Sequence, residues 1–207
     1  MDSGTGHYVE TLDELAALYD APNARVIAKE IDHVDAAGRA FIAAAPFLIL
    51  ATSTAAGADC SPKGDAPGFV AVLDDRTLLI PDRRGNNRID GLRNIVQNPQ
   101  VAVIFMVPGV DETYRVNGRA RISTDPALLA RFVVDGKPPR TVIVVQVEQA
   151  FPHCPKALVR SKLWRSAARP RPKEVPTIGT FAAARDTSLD PAVYDIEYAR
   201  RVPDELY

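Results

Sequence analysis

The hydrophobic period of the chain changes at Pro46, and that change limits the folds open to everything after it. From Phe47 onward apolar residues stop recurring at helical spacing, and short strands are expected over 47–54, 59–63, 69–73 and 77–81. Between them stand Ala55-Ala56-Gly57-Ala58, Gly64-Asp65-Ala66-Pro67-Gly68 and Asp74-Asp75-Arg76, all of them turn chemistry. Parallel neighbours need a crossover of about a dozen residues or more, and no segment between these four strands is that long. These strands read as a meander of antiparallel hairpins. Runs over 101–107, 112–123 (bent at Gly118) and 141–147 continue the pattern. Six or seven short antiparallel strands with small helices inserted predict a mainly β fold with α decoration, closed into a barrel.

Helical patterns flank and interrupt the strands. Thr11-Leu12-Asp13-Glu14 has capping-box spacing, and Leu12, Leu15, Ala16 and Tyr19 then share one face. A second helix is expected over 26–45, with Ile27, Ile31, Val34, Phe41 and Ile42 turned to the core and Pro46 ending it. Ile89, Leu92, Ile95 and Val96 mark a short helix stopped by Asn98-Pro99, and Asp125-Pro126 starts another. Past Trp164 the stretch 169–176 reads as a Pro-rich linker, followed by amphipathic pieces over 178–184 and 191–201. The organisation expected is an N-terminal helical segment (1–35), a barrel domain (36–165) and a linker with a C-terminal helical extension (166–207).

A length of 207 residues suits one well-packed domain. Lys plus Arg (25) balance Asp plus Glu (26), so no global field favours nucleic acid or an anionic membrane as a partner. The longest apolar run, 41–51 with Pro46 inside it, falls short of the roughly 20 residues of a membrane span. Met1-Asp2-Ser3-Gly4 is no Sec-type signal start, and a soluble, cytoplasmic protein is expected. Two cysteines, Cys60 and Cys154, make neither a disulfide framework nor a four-thiolate metal site.

Three segments carry chemistry. In Asp82-Arg83-Arg84-Gly85-Asn86-Asn87-Arg88 a strand hands over to a helix. Free N–H groups at a helix start, joined by arginines, suit a phosphate group. The competing reading is a solvated turn whose asparagines cap the helix and whose arginines pair with Asp82 and Asp90. The second segment, Cys60-Ser61-Pro62-Lys63-Gly64-Asp65, is either a strand end with an exposed lysine or a further contact to the same phosphate. The third runs from Phe151 to Trp164. There Pro155 fits the first position of a helix, with Cys154 at its cap, and Lys156, Arg160 and Trp164 recur every four residues. Two cations and an indole on one face suit a flat, anionic, aromatic ligand, while an exposed helix with a snorkelling Trp is the alternative. Zinc is disfavoured, because His153 and Cys154 are adjacent and no second ligand pair is visible.

Taken in order, these segments resemble the pyridoxamine 5′-phosphate oxidase-like, FMN-binding split-barrel family, and within it an uncharacterised bacterial FMN-dependent branch. The matching residues are Ser61-Pro62-Lys63-Gly64-Asp65 with Pro67-Gly68-Phe69-Val70, and Ile80-Pro81-Asp82-Arg83-Arg84-Gly85-Asn86-Asn87-Arg88. Leu92-Arg93-Asn94-Ile95 with Asn98-Pro99 and Arg115-Val116-Asn117-Gly118-Arg119-Ala120 continue the set. His153-Cys154-Pro155-Lys156-Ala157 with Arg160-Ser161 and Leu163-Trp164 complete it.

The resemblance implies a six-stranded antiparallel split barrel that forms a homodimer with FMN at the subunit interface. It implies that Lys63, Arg84, Asn87 and Arg88, with Asn86 in the same turn, hold the phosphate. Ser61 and Pro62 would lie along the isoalloxazine edge. The segment with His153, Lys156, Arg160 and Trp164 would close the site, in the other subunit's site if the dimer so places it. The basic strand motif, the Tyr-Thr-Asn and the C-terminal Arg-Leu-His of the vitamin B6 oxidase are missing. The implied function is an FMN-dependent oxidoreductase acting on a small molecule other than that enzyme's substrate, with no catalytic residue assigned. The alternatives are a flavin carrier or sensor without turnover, or the same barrel serving a deazaflavin or haem.

Overall fold

The computed structural model describes residues 7–164 and 175–206, in two compact units that divide between Glu30 and Ile31. In the first, α1 (Leu12–Ala16) opens on the expected capping box, with Thr11 Oγ1 accepting from the Glu14 N–H and Glu14 Oε2 accepting from the Thr11 N–H. α2 (Ala24–Ile27) is a single turn. The one helix expected over 26–45 is therefore two, and α3 (Ala36–Ala44) belongs to the second unit. Sheet-type bonding explains the break. Ile31 exchanges hydrogen bonds with Ala150 at 3.0 and 2.7 Å, and the Val34 N–H donates to the Asp75 carbonyl at 2.7 Å. Asp35 then starts α3 by accepting from the Gly38 N–H. Of the expected core face, Val34 and Ile42 are buried and Ile27 is exposed.

The strands are β1 (Phe47–Thr54), β2 (Gly57–Gly64), β3 (Ala71–Val72), β4 (Thr77–Asp82), β5 (Gln100–Met106), β6 (Thr113–Ser123) and β7 (Thr141–His153). They form one sheet in the order β2-β1-β5-β6-β7-β4-β3, antiparallel at every junction. The count is seven rather than six, because β3 adds a two-residue edge pairing with Leu78 and Leu79. It stays short because 66–69 is a turn, with the Phe69 N–H bonded back to the Ala66 carbonyl and Gly68 at φ 83°. β7 runs on past Val147, where the sequence pattern fades, as far as a pairing of His153 with Thr113. Between Asn117 and Gly118 the register shifts, pairing Asn117 with Gln149 and Gly118 with Val147 and leaving Glu148 as the extra residue of a bulge. Gly118 is required there, since a Cβ would lie 2.0 Å from the Gln146 carbonyl oxygen.

Alternation along β1, β5 and β6 sends Leu48, Leu50, Val103, Phe105 and Val116 into the barrel, where Ile80, Ile143 and Val145 meet them. Ile42 of α3 and Ile95 of α4 (Asp90–Gln97) join the same core. On the outer face Leu79 and Val142 are covered by Phe132, which follows α5 (Pro126–Leu129). The barrel is split, and ion pairs bridge the split. Lys63 at the end of β2 bonds Asp82 at the end of β4 at 2.7 Å, and just beyond both strands Arg83 Nε bonds Asp65 Oδ2 at 2.7 Å. Beyond β7 lies α6 (Lys156–Ser161), and α7 (Ile178–Ala183) packs on α8 (Pro191–Glu205) through a Gly179 N–H bond to Asp195. Most of the linker expected over 169–176 lies outside the described residues. Among the described residues no helix is long and apolar enough to cross a membrane.

Candidate functional site

The split opens into a cleft of about 800 Å³, within the size range of pockets that hold cofactors. One wall is β2, an edge strand whose bonding parity can be read off its end. The Asp65 N–H donates to the Pro46 carbonyl, so residues 63, 61 and 59 also turn their N–H and C=O groups to β1. The backbone groups of Cys60, Pro62 and Gly64 then face away from the sheet. Pro62, with no N–H to lose, sits where a ladder bond is not needed. Side chains alternate the other way, so that Asp59, Ser61 and Lys63 are half-buried while Cys60 and Pro62 are exposed.

The second wall is the 83–89 turn and the first turn of α4. α4 is pinned to β1 by Asn94 Nδ2 donating to the buried Thr52 hydroxyl at 3.0 Å, and by Asn98 Nδ2 donating to Ser53 at 3.2 Å. The asparagines of the turn do not cap the helix. Ile89 stands at the cap with no side-chain bond to the helix, in the left-handed region at φ 47°, where a β-branched residue is uncommon. Asn86 instead accepts from the Arg88 N–H at 3.1 Å, and Asn87 is also left-handed, at φ 59°. The helix start therefore keeps its free N–H groups beside the cleft.

Ser61, Pro62, Lys63, Arg84, Asn86, Asn87 and Arg88 all line this cleft. Its cations differ in what already neutralises them. Lys63 is bound to Asp82, and Arg83 to Asp65 and to the Phe132 carbonyl. Arg88, largely exposed, donates to Asp90 at 2.9 Å, and that bond together with the Asp90 charge raises the guanidinium pKa above its ordinary value. Arg84 makes no ion pair or hydrogen bond among the described residues.

Sequence reasoning missed Arg140 and Thr141, which stand in the same wall. Arg140 Nη1 donates to Asn87 Oδ1 at 3.3 Å, and the Thr141 hydroxyl is buried without a hydrogen-bond partner among the described residues. Nothing local marks them, for 137–140 is Lys-Pro-Pro-Arg, ordinary loop chemistry. Only the register of β4 with β7, Asp82 opposite Thr141, brings them in.

His153, Lys156, Arg160 and Trp164 do not line the cleft. Thr141 begins β7 and His153 ends it, a separation on the order of 40 Å along an extended strand. Within this group the expected single face is also broken. α6 starts after Pro155, with Cys154 one residue outside the cap, and stops at Ser161 because Lys162 is left-handed at φ 53°. Lys156 and Arg160 share a face. Trp164 leaves it, and its indole N–H donates to the Val110 carbonyl at 2.7 Å, tying it to the β5–β6 turn.

No curated protein sequence matches the chain significantly. Among solved structures, a HupZ variant from Group A Streptococcus is 23% identical at a TM-score of 0.47, covering 58% of this chain and 99% of that one. A candidate pyridoxamine 5′-phosphate oxidase from Lactobacillus delbrueckii is 21% identical at 0.46, covering 58% and 95%. An FMN-binding protein from Syntrophomonas wolfei is 14% identical at 0.45, covering 56% and 83%. The sequence comparison decides more. Residues 34–154, from the buried Val34 ahead of α3 through the last strand, match the family model for pyridoxamine 5′-phosphate oxidase. That span is more than half of the 207 residues and contains both walls of the cleft. The chain belongs to the pyridoxamine 5′-phosphate oxidase family.

Proposed function

We propose that the protein binds FMN in the cleft at the barrel split and acts as an oxidoreductase on a small molecule. The observation that carries this reading is the pairing of two unlike surfaces in one cleft. Along β2 stand the outward-facing backbone groups of Cys60, Pro62 and Gly64. Across from them lie arginines, the free N–H groups of α4 and the orphaned Thr141 hydroxyl. The first suits the hydrogen-bonding edge of a planar ring system, and the second suits a phosphate. Bound FMN supplies reversible two-electron chemistry at its ring. The chain's part is to hold the phosphate with the 84–88 turn, to orient the ring along β2, and to keep the cleft's shape through the Lys63–Asp82 and Arg83–Asp65 bridges.

A second copy of the chain belongs to the same proposal. Lys156 and Arg160 are exposed cations at the far end of β7 from the cleft, so one chain cannot bring them to a ligand held by Thr141 and Arg84. A homodimer in which α6 of one copy faces the cleft of the other uses both groups, in keeping with the family resemblance.

The test is direct. Purified protein is titrated with FMN, riboflavin, a deazaflavin and haem while its visible spectrum is recorded, and a nicotinamide reductant is then added. Tight FMN binding, bleaching by the reductant and recovery in air support the proposal. FMN that binds but resists every reductant leaves a carrier or sensor. Preference for deazaflavin or haem, or indifference to FMN, refutes it.

A further inference from the structure

We propose that Arg140, acting with Arg84, is the residue by which the cleft selects a phosphate monoester over the same ligand without its phosphate. The inference rests on the flavoprotein reading for the ligand's identity, and on the fold alone for the anion site. The cations lining the cleft are Lys63, Arg83, Arg84, Arg88 and Arg140. Carboxylates already hold Lys63, Arg83 and Arg88, through Asp82, Asp65 and Asp90. Arg84 and Arg140 form no ion pair among the described residues. The bond of Arg140 to Asn87 Oδ1 is to a neutral amide, at the long end of hydrogen-bond distance, 3.3 Å.

Topology places these two arginines together. β4 ends at Asp82, β7 begins at Thr141, and the two residues are partners in the antiparallel ladder. The chain segments that leave the sheet at that point, 83–84 outgoing and 139–140 incoming, emerge side by side. Arg140 thereby reaches a residue 53 positions earlier in the sequence. By accepting at Oδ1 from Arg140, Asn87 keeps its two amide hydrogens for a ligand. The Thr141 hydroxyl, without a hydrogen-bond partner among the described residues, offers a further donor in the same wall. Two guanidinium forks, an amide and a hydroxyl match a dianionic tetrahedral oxyanion, whereas an uncharged ribityl chain leaves both charges unanswered.

The experiment measures equilibrium binding of FMN, riboflavin and phenyl phosphate to the full chain and to Arg140→Gln, with a melting curve for each protein. Arg140 is exposed and holds a single long bond, so the variant should melt with the wild type. Loss of about 10- to 100-fold in FMN affinity, with riboflavin changed less than about twofold, is the expected result. Arg84→Gln should do the same. If the FMN preference over riboflavin survives in Arg140→Gln, the assignment of Arg140 falls and the flavin reading stands. If the wild type binds neither flavin, the flavin reading falls and phenyl phosphate decides. Binding that is lost in Arg140→Gln keeps the anion site, and absent or unchanged binding overturns it.

Discussion

Removing Arg83 tests whether the barrel is closed by charge at its split. Arg83 donates Nε to Asp65 Oδ2 at 2.7 Å and Nη1 to the Phe132 carbonyl at 2.6 Å. The Asp65 side chain is only 4% exposed and that of Arg83 15%, so this pair is not screened as a surface bridge would be. Arg83→Met keeps most of the aliphatic stem and removes this cation from the Asp65 carboxylate, which still accepts from the Ala66 N–H. Breaking a buried pair by removing one partner costs about 3–5 kcal/mol. At roughly 2–4 °C per kcal/mol for a domain of this size, the melting temperature should fall by about 6–20 °C. Differential scanning calorimetry of wild type and variant reads this directly. Adding Asp65→Asn to Arg83→Met removes the carboxylate charge while keeping an acceptor for Ala66, and should recover at least half of the loss. A single variant melting within about 2 °C of wild type, or a double variant no better than the single, would refute the account of the split.

Gly118→Ala should lower stability by about 1–3 kcal/mol or more, seen as a lower denaturant midpoint, because the new methyl meets the Gln146 backbone at the bulge. Burial, aided by the negative charge of Asp35, pushes the Tyr114 phenol up to about 12. Its folded pKa thus exceeds the unfolded value near 10, so its contribution is whole below about pH 10 and is lost as pH rises toward 12. Tyr114→Phe should flatten that alkaline decline in a pH series of melts. Hydrogen bonds from His33 and then Arg76 hold Asp32 down to about 2, so its contribution is present above about pH 4 and fades as pH falls through 2. Asp32→Asn should remove that acid-side slope. Mixing Arg84→Gln with Arg160→Gln chains should restore FMN binding in up to about a quarter of sites, since half the dimers are mixed and each has one intact site. No restoration on mixing, with each variant defective alone, would argue that α6 does not serve the partner's cleft.

Much of the fold was legible because it follows from period and spacing. The short connections 55–56 and 73–76 predicted hairpins, and β1–β2 and β3–β4 are antiparallel pairs. The continuous meander expected across 47–81 is not what forms, because β2 and β3 lie at opposite edges of the sheet. Asp125-Pro126 and Thr11–Glu14 marked helix starts by local bonding that the structure reproduces. What was missed depended on contacts distant in sequence. Ile31 and Val34 fit a helical stripe, yet strand-type bonds to Ala150 and Asp75 took their backbone out of it. Lys156, Arg160 and Trp164 fit one face only while the helix continues, and the left-handed Lys162 ends it first.

The same distinction separates having a cation from having one to offer. The motif from Ile80 to Arg88 and the one around Lys63 present four basic residues, and their sequence gives each the same claim on an anion. In the folded chain the acids that stand in or beside those motifs, Asp65, Asp82 and Asp90, engage Arg83, Lys63 and Arg88. Lys63 and Arg83 thereby hold the split together, a structural use of charge that no spacing rule separates from ligand binding. Arg84 is left without an acid among the described residues, and Arg140 joins it through the pairing of Asp82 with Thr141. The difference is measurable: Lys63→Met should weaken FMN and riboflavin together as the cleft loosens, while Arg84→Gln and Arg140→Gln should discriminate between them. Equal discrimination by all three variants would show that the Lys63–Asp82 bridge opens to the ligand and that both uses of its charge coexist.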